Sequence, residues 1–236
     1  MDNKTLAIVR IIDNNPVLYK IFKSCPYEIL HYWEIKEYPA GTVICNQGDL
    51  INHFDIIVNG FVDVYFTNEN GKRYNIATHK CGAIIGEIEF LEKKPFVCSV
   101  EAYTDLTVLE IKRDYFLKWI HEDRNISSYV IEVLSKRFHD YSLKVGNDLL
   151  YPLKIRICLY LLSRSKHLSK QATNIEVKIN KEKLSEELAV TRRSIHRILR
   201  ELQDKNIIVV KTDTIIVKDL ERLTAEVETR RGDLPD

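Results

Sequence analysis

Hydrophobic and polar positions along this chain follow two different periods, and the first is that of short strands. From Glu34 to Ile111, β-rich runs alternate with turn signals. The turn signals are Pro39-Ala40-Gly41, Gln47-Gly48-Asp49, Asn59-Gly60, Asn70-Gly71, Cys81-Gly82 and Thr104-Asp105. Within Phe61–Phe66 the pattern alternates, so we expect Val62, Val64 and Phe66 to share one face of a strand. Many short strands at this spacing predict a β-sandwich or roll.

Helical spacing follows the strands. The pattern predicts a short helix at 113–121 and a long helix from Asn125 to about Leu149. In the long helix an apolar seam repeats with 3,4,3,4 spacing, at Ile131, Leu134, Phe138, Tyr141 and Val145. The seam could pack on the β domain of its own chain or against a second copy, and we favour the second copy. Pro152 then disfavours helix at Tyr151 and predicts a hinge, after which 153–163 reads as a buried helix.

The segment Lys178–Leu202 predicts two short helices joined by a tight turn. Leu184 and Leu188 repeat at i,i+4 in the first helix, and Asn180 and Thr191 are the predicted N-caps of the two helices. Ala189 puts a small residue at the tight position between them. This arrangement is typical of a helix-turn-helix.

The second helix of this segment has two chemically distinct sides. At about 100° per residue, one sector holds the basic residues and the opposite side holds apolar ones. The basic set is Arg192, Arg193, His196, Arg197 and Arg200, and the apolar set is Ile195, Ile198, Leu199 and Leu202. A solvated basic face on an ordinary helical hairpin would look similar. However, two β-branched runs follow, at 207–210 and 214–218, and they predict a hairpin, or wing, from which Lys205 and Lys211 could reach phosphates.

Together these patterns predict an α+β chain with an N-terminal β-roll, similar to a cupin jelly roll, a long dimerisation helix and a C-terminal winged helix-turn-helix. We place N-terminal helices and a β-roll sensor domain in residues 1–122, the dimerisation helix in 123–150, and the DNA-binding domain in 151–236.

Composition limits the classes of function. The 236 residues carry a net charge of only +1, so a nucleic-acid surface has to be local, as it is at 192–200. We expect no transmembrane span and no signal peptide, and hence a cytoplasmic protein without a membrane partner. No Gly-rich phosphate loop, nucleophile elbow or HExxH motif occurs, so we do not expect an enzyme or a catalytic residue. An alternative is a regulatory module whose C-terminal domain binds protein.

The cysteines give no clear ligand motif. Cys25, Cys45, Cys81, Cys98 and Cys158 are scattered, without a CxxC pair. An iron–sulfur cluster is therefore not expected. His79-Lys80-Cys81, interpreted as a loop, offers two candidate haem ligands, but nothing else supports haem. We predict no cofactor and no metal.

The order of β-roll, long helix, hinge and winged helix resembles the Crp/Fnr family of bacterial transcription regulators over nearly the whole chain. Asn59-Gly60 resembles a turn of the family's roll, Ile85-Gly86-Glu87 the start of its phosphate-binding cassette, and 144–147 the end of its dimer helix. The resemblance implies a homodimer that binds a palindromic operator in double-stranded DNA, with RNA polymerase as a partner.

The effector region departs from this family. Cyclic-nucleotide-binding members place an Arg that pairs with the cyclic phosphate about ten residues after Gly-Glu, and here that place reads Pro95–Ser99. A buried phosphate without a cation is costly, so we do not expect cAMP as the effector. The resemblance leaves Gly86, Glu87 and Ser142 as candidate pocket residues. Glu87 could instead have a structural role, such as capping a loop.

The reading helix also departs from the family. Arg192 and Arg197 match two arginines that read guanines in the catabolite regulator branch, where a Glu usually stands between them. Here that position is Arg193, which cannot accept a hydrogen bond from cytosine. His196 occupies a base-contacting position of the oxygen-sensing branch. We therefore predict Arg192, Arg193, His196 and Arg197 as base readers. Lys181, Thr191, Ser194 and Lys211 are the predicted phosphate contacts.

Overall fold

The computed structural model describes residues 2–50, 52–165 and 174–228. The chain divides into two compact units, Met1–Tyr141 and Ser142–Asp236. Each unit has its own apolar core, and the two are described separately below.

The N-terminal unit begins with three helices, α1 (Asn3–Asp13), α2 (Pro16–Phe22) and α3 (Tyr27–Leu30). The side chains of Asp2 and Asn15 accept backbone N–H bonds at the starts of α1 and α2, which satisfies donors that the helices leave free. Apolar residues of these helices pack with Trp33 and Trp119 in one buried cluster.

Eight strands follow and form the predicted roll. They are β1 (Glu34–Tyr38), β2 (Val43–Cys45), β3 (His53–Asn59), β4 (Phe61–Thr67), β5 (Arg73–Lys80), β6 (Ile84–Ile85), β7 (Ser99–Ala102) and β8 (Leu106–Lys112). They make two four-stranded antiparallel sheets, ordered β1-β8-β3-β6 and β2-β7-β4-β5. Residues from both sheets share one core, and the β-roll prediction is thereby confirmed.

The Asn59-Gly60 turn shows why glycine is required there. Gly60 has φ of +90°, and a Cβ at this position would lie 2.3 Å from the carbonyl oxygen of Asp105. Any side chain would therefore collide with the backbone between β7 and β8.

Burial along β4 does not follow the predicted alternation to the end of the strand. Val62 is buried as expected, but Phe66 is exposed and Tyr65 is buried. The pairing of β4 with β5 shifts register between Val64 and Tyr65. The extra residue of this shift, Ile76, lies on β5, and β4 pairs with β7 without interruption from Val62 to Tyr65, so the faces of β4 are not reversed. Tyr65 is buried because the Arg73 guanidinium lies over its ring, 4.2 Å from the ring centroid.

Three helices complete this part of the chain. They are α4 (Glu87–Glu92), α5 (Arg113–Glu122) and the 27-residue α6 (Arg124–Leu150). The short and long helices predicted after the strands correspond to α5 and α6. The interpretation of His79-Lys80-Cys81 as a loop was wrong for its first two residues, since β5 extends to Lys80.

In the C-terminal unit, α6 ends at Leu150 and a break at Tyr151-Pro152 follows. The elements after this break are α7 (Leu153–Ser165), β9 (Ile175–Lys178), α8 (Lys181–Glu187), α9 (Arg192–Asp204), β10 (Ile208–Val210), β11 (Thr214–Val217) and α10 (Leu220–Glu228). The hairpin β10–β11 gains β9 as a third antiparallel strand, in the order β10-β11-β9. This is the predicted winged helix-turn-helix. Among the described helices, none is both long and apolar enough to cross a membrane.

Candidate nucleic-acid interface

The turn between α8 and α9 is set by backbone geometry. Ala189 has φ of +53°, its N–H donates to the Glu186 carbonyl at 3.2 Å, and the Val190 N–H donates to the Ser185 carbonyl at 3.0 Å. This pattern closes a helix through one left-handed residue. A small residue lowers the steric cost of that conformation, as the sequence indicated for Ala189.

Both predicted N-caps are confirmed. The Asn180 side chain accepts from the Glu182 and Lys183 N–H groups, and the Thr191 hydroxyl oxygen accepts from the Ser194 N–H at 3.2 Å. The Thr191 and Ser194 hydroxyls also lie 2.9 Å apart. These two predicted phosphate contacts therefore stand together at the start of α9, where the helix dipole and the first N–H groups favour anions.

The two sides of α9 separate as the helical period predicts. Ile195, Ile198, Leu199 and Leu202 are buried in the core of the C-terminal unit. The opposite sector is exposed and carries Arg192, Arg193, His196, Arg197 and Arg200. The helix thus presents one basic face while its apolar face anchors it.

One of the predicted base readers already has an acidic partner. The Arg192 guanidinium donates to the Glu182 carboxylate in the first turn of α8, and both side chains are exposed. Sequence reasoning missed this pair, because the two residues are ten positions apart and lie on different helices. Arg192 therefore has to exchange Glu182 for a base if it reads DNA.

The wing brings two predicted phosphate contacts together. Lys211 is exposed at the hairpin tip, and the Lys181 ammonium donates to the Lys211 carbonyl at 3.5 Å. The Val210 N–H donates to the Gln203 side chain at 2.9 Å, which ties the hairpin to α9. The placement of Lys205 on the hairpin was wrong, since it caps the C-terminus of α9 and its ammonium lies 2.5 Å from Glu226.

A network of ion pairs connects α9 to the helices α7 and α10. The Lys154 ammonium of α7 lies 2.7 Å from Glu201 on α9 and 2.5 Å from Glu226 on α10. Burial lowers the pKa of Lys154, but hydrogen bonds to Glu201 and Glu226 outweigh it and raise that pKa overall. The network holds three helices in one arrangement and so fixes the direction of the basic face.

In the N-terminal unit, the candidate effector residues Gly86 and Glu87 sit between β6 and α4. Gly86 has φ of +87°, and a Cβ there would approach the Phe96 ring to 3.2 Å. Glu87 is buried and pairs with the Arg137 guanidinium of α6, which also donates to the Ile84 carbonyl at 2.7 Å. Glu87 is thus held by an ion pair across the roll rather than by the loop cap considered from sequence.

Arg137 was missed by sequence reasoning and affects its neighbours. Burial, followed by the charge of Arg137, lowers the pKa of His79 to about 3, so this imidazole is neutral at pH 7. Burial also lowers the pKa of Arg137 itself. A lone Arg beside the seam position Phe138 gave no signal that it would point into the roll.

Segment 95–99 stands where nucleotide-binding relatives have their phosphate-binding Arg, and part of it belongs to the hydrophobic core. Phe96 is buried, and its backbone bonds to Gly48 and Asp49. Lys93 and Lys94 are exposed, and Lys94 pairs with Glu92. The third candidate pocket residue, Ser142, is exposed on α6 in the C-terminal unit.

Burial raises the pKa of four of the five thiols, those of Cys25, Cys45, Cys98 and Cys158. Burial raises the pKa of Cys45 and Cys158 to about 12, and that of Cys98 to about 11 with a further contribution from the charge of Glu89. These groups are therefore protonated at neutral pH, and protonated thiols are poor nucleophiles and metal ligands.

The residues of the predicted seam along α6 differ in their surroundings: one packs on the β domain and others are exposed. Leu134 packs on the core of its own β domain, as the alternative interpretation proposed. Ile131, Phe138 and Val145 are exposed, with 76% of Phe138 accessible. These three side chains, seven residues apart along the helix, form one exposed apolar stripe on α6.

Comparison with known proteins gives two domain matches in the same order. Residues 35–123 match the family model of the cyclic nucleotide-binding domain, and residues 155–226 match the Crp-like helix-turn-helix domain. The matched ranges coincide with the roll and with the winged helix described above.

Relatives that match across both domains belong to the same class of protein. The chain is 27% identical over 191 residues to the cAMP-activated global transcriptional regulator CRP of Salmonella typhimurium, covering 80% of this chain and 91% of that protein. It is 18% identical over 190 residues to a CRP-like cAMP-activated global transcriptional regulator of Mycobacterium tuberculosis, covering 79% and 85%.

Solved structures share the fold. A CooA variant from Carboxydothermus hydrogenoformans superposes with a TM-score of 0.73 at 17% identity, covering 91% of this chain and 96% of that one. A CRP/FNR-family transcriptional regulator from Thermus thermophilus gives a TM-score of 0.67 at 19% identity, covering 84% and 100%. With its roll, its winged helix and both domain matches in this order, the chain belongs to the Crp/Fnr family of DNA-binding transcription regulators.

Proposed function

We propose that this protein is a homodimeric, sequence-specific transcription regulator that reads a palindromic operator in the bacterial cytoplasm and does not use a cyclic nucleotide as effector. The observation that carries the proposal is the exposed basic face of α9, anchored by a buried apolar face. A helix of this kind fits the major groove, where arginine reads guanine through two hydrogen bonds.

The side chains on that face favour guanine over cytosine. Arg192, Arg193 and Arg197 offer donors only, so none can accept from the cytosine amino group. Because family members with Glu at the middle position can accept there, we expect an operator that differs at that base pair. Lys181 and Lys211, together at the wing, supply phosphate contacts that position the helix without reading sequence.

Random-site selection with the purified full chain identifies the operator, and two matched variants then test the roles. Arg197→Ala is expected to lose about 1–3 kcal/mol of discrimination at one base pair. Lys211→Ala is expected to weaken binding to all sequences alike and to reduce the salt dependence. If Arg197→Ala weakens operator and random DNA equally, its role as a base reader is refuted.

The dimer is supported by the exposed stripe on α6. Two copies related by a two-fold axis present two recognition helices about 34 Å apart, one duplex turn, which matches a palindromic site. Phe138→Asp is expected to yield monomers in sedimentation experiments and to weaken operator binding. Leu50→Asp, at an equally exposed apolar residue of the roll, is the control and is expected to remain dimeric. A monomeric wild type, or a dimeric Phe138→Asp, contradicts the proposal.

The effector proposal is supported by the local charges around Glu87. Its carboxylate is already paired with Arg137, and Phe96 packs in the core where nucleotide-binding members have their phosphate-binding segment. A phosphate buried there would lack a cation of its own. We expect no heat of binding on titration with cAMP or cGMP and no change in operator affinity. A nucleotide-dependent gain in operator affinity would falsify this part.

RNA polymerase is the protein partner expected from the family. In vitro transcription from a promoter that carries the selected operator, with and without the regulator, measures whether transcript yield changes. An unchanged yield at saturating regulator contradicts the regulatory role while leaving DNA binding intact.

A further inference from the structure

A cluster of three potential metal ligands lies on one face of the β1-β8-β3-β6 sheet, apart from the residues discussed above. His53 and Asp55 are two residues apart on β3, so their side chains point to the same face. Glu110 on β8 stands directly opposite Asp55 in the antiparallel pairing. One potential ligand atom from each residue lies within 4.8 Å of the other two.

The distances suit a small cation. The His53 Nε2 atom lies 3.6 Å from an Asp55 carboxylate oxygen and 3.9 Å from a Glu110 carboxylate oxygen. Ligands at about 2.0–2.2 Å from a tetrahedral metal ion are roughly 3.4 Å apart. A modest movement of the Glu110 side chain, which is 21% exposed, therefore closes the arrangement around one ion.

Asp55 gives the second, independent indication. Only 1% of this residue is exposed, and its Oδ1 atom has no hydrogen-bond partner among the residues that the structure describes. A buried carboxylate oxygen without a partner is costly, and the neighbouring Glu110 adds like charge. Lys36 offsets this only in part, because its ammonium lies 2.9 Å from Glu34 and 3.9 Å from Glu110, and its charge acts on Asp55 less strongly than burial and Glu110 do.

We propose that His53, Asp55 and Glu110 form a binding site for a divalent first-row transition-metal ion. Two carboxylates and one imidazole suit Mn²⁺, Fe²⁺, Co²⁺ and Zn²⁺. Because His53 and Glu110 are partly exposed, the ion can enter from solvent, and water completes its coordination. The ion cross-links β3 and β8 in the middle of the sheet.

The alternative is a site that holds a proton instead of a metal. Burial, followed by the charge of Glu110, raises the pKa of Asp55 well above its usual range. A protonated Asp55 would tolerate the same surroundings without any ion. Direct measurement of metal uptake separates the two.

Mn²⁺ is the probe for this test, because it prefers carboxylate and imidazole ligands and avoids the five cysteines. The full chain is stripped with a chelator and titrated with Mn²⁺, and the free ion is followed by its electron paramagnetic resonance signal. We expect saturable uptake of one ion per cluster, displacement by Zn²⁺, and a higher unfolding temperature with metal than without.

Three variants locate the ion. Asp55→Asn and Glu110→Gln each remove one ligand charge with little change in volume, and each is expected to weaken Mn²⁺ binding by at least about tenfold. Glu37→Gln, at an exposed residue of β1, is the control and should bind as the wild type does. The proposal is overturned if the wild type shows no saturable uptake, or if Asp55→Asn and Glu110→Gln bind with wild-type affinity. Each variant's circular dichroism spectrum establishes that it is folded.

Discussion

Removal of Arg137 provides a quantitative test of the ion pair across the roll. Side-chain exposure is 13% for Arg137 and 6% for Glu87, so both charges are largely out of water. Arg137→Ala leaves Glu87 as an unpaired buried charge and also removes the hydrogen bond to the Ile84 carbonyl. Breaking such a pair from one side costs about 3–5 kcal/mol.

The assay is thermal and denaturant unfolding of the full chain in a double-mutant cycle. At about 2–4 °C per kcal/mol for a protein of this size, Arg137→Ala should lower the melting temperature by roughly 10 °C. The cycle adds Glu87→Gln alone and Glu87→Gln combined with Arg137→Ala. The double variant has no unpaired buried charge, so we expect it to be more stable than Arg137→Ala despite carrying two changes.

The exposed pair Lys118–Glu122 on α5 serves as the comparison. Its ends are 4.0 Å apart and about half exposed, so Lys118→Ala should change stability by no more than about 0.5 kcal/mol. The reasoning is refuted if Arg137→Ala destabilises the protein no more than Lys118→Ala does, or if the cycle gives no coupling energy between Glu87 and Arg137.

Three further predictions concern other sites. Because the pKa of His79 is about 3 when folded and near 6.5 when unfolded, the unfolded chain binds more protons between these values. Wild-type stability therefore falls below pH 6.5 by up to about 1.4 kcal/mol per pH unit. His79→Gln should remove this slope in unfolding titrations and exposed His139→Gln should not. Glu182→Gln frees Arg192 and should tighten operator binding about two- to fivefold at low salt, whereas weaker binding in fluorescence anisotropy would argue against Arg192 as a DNA contact. Thr191→Ala removes the α9 cap and should cost about 1 kcal/mol in chemical unfolding; an unchanged stability would contradict the contribution of this cap.

The sequence was sufficient to predict those elements that depend only on neighbouring residues or on a single helical or strand period. The two faces of α9, the caps at Asn180 and Thr191, and the roll of short strands each depend on residues a few positions apart. Their physical causes, side-chain periodicity and the bonding of free N–H groups, act over the same short range. The sequence therefore predicted both the class of fold and the basic face.

Long-range and irregular features could not be predicted in that way. The Glu87–Arg137 pair joins residues fifty positions apart, and the Asp55–Glu110 pairing depends on which strands become neighbours. The burial of Tyr65 depends on Arg73 of the neighbouring strand β5, whose guanidinium lies 4.2 Å from the Tyr65 ring. Such features are set by packing between distant segments, on which a single sequence gives little information.

The contact between Arg137 and Glu87 also sets an orientation. Successive residues of a helix point about 100° apart, and Phe138, which follows Arg137 on α6, faces solvent. With Arg137 held inside the roll, α6 cannot turn about its axis without first separating a buried guanidinium from its carboxylate. The ion pair thus fixes the rotation of α6 about its own axis, and Glu87 thereby determines that Phe138 points to solvent.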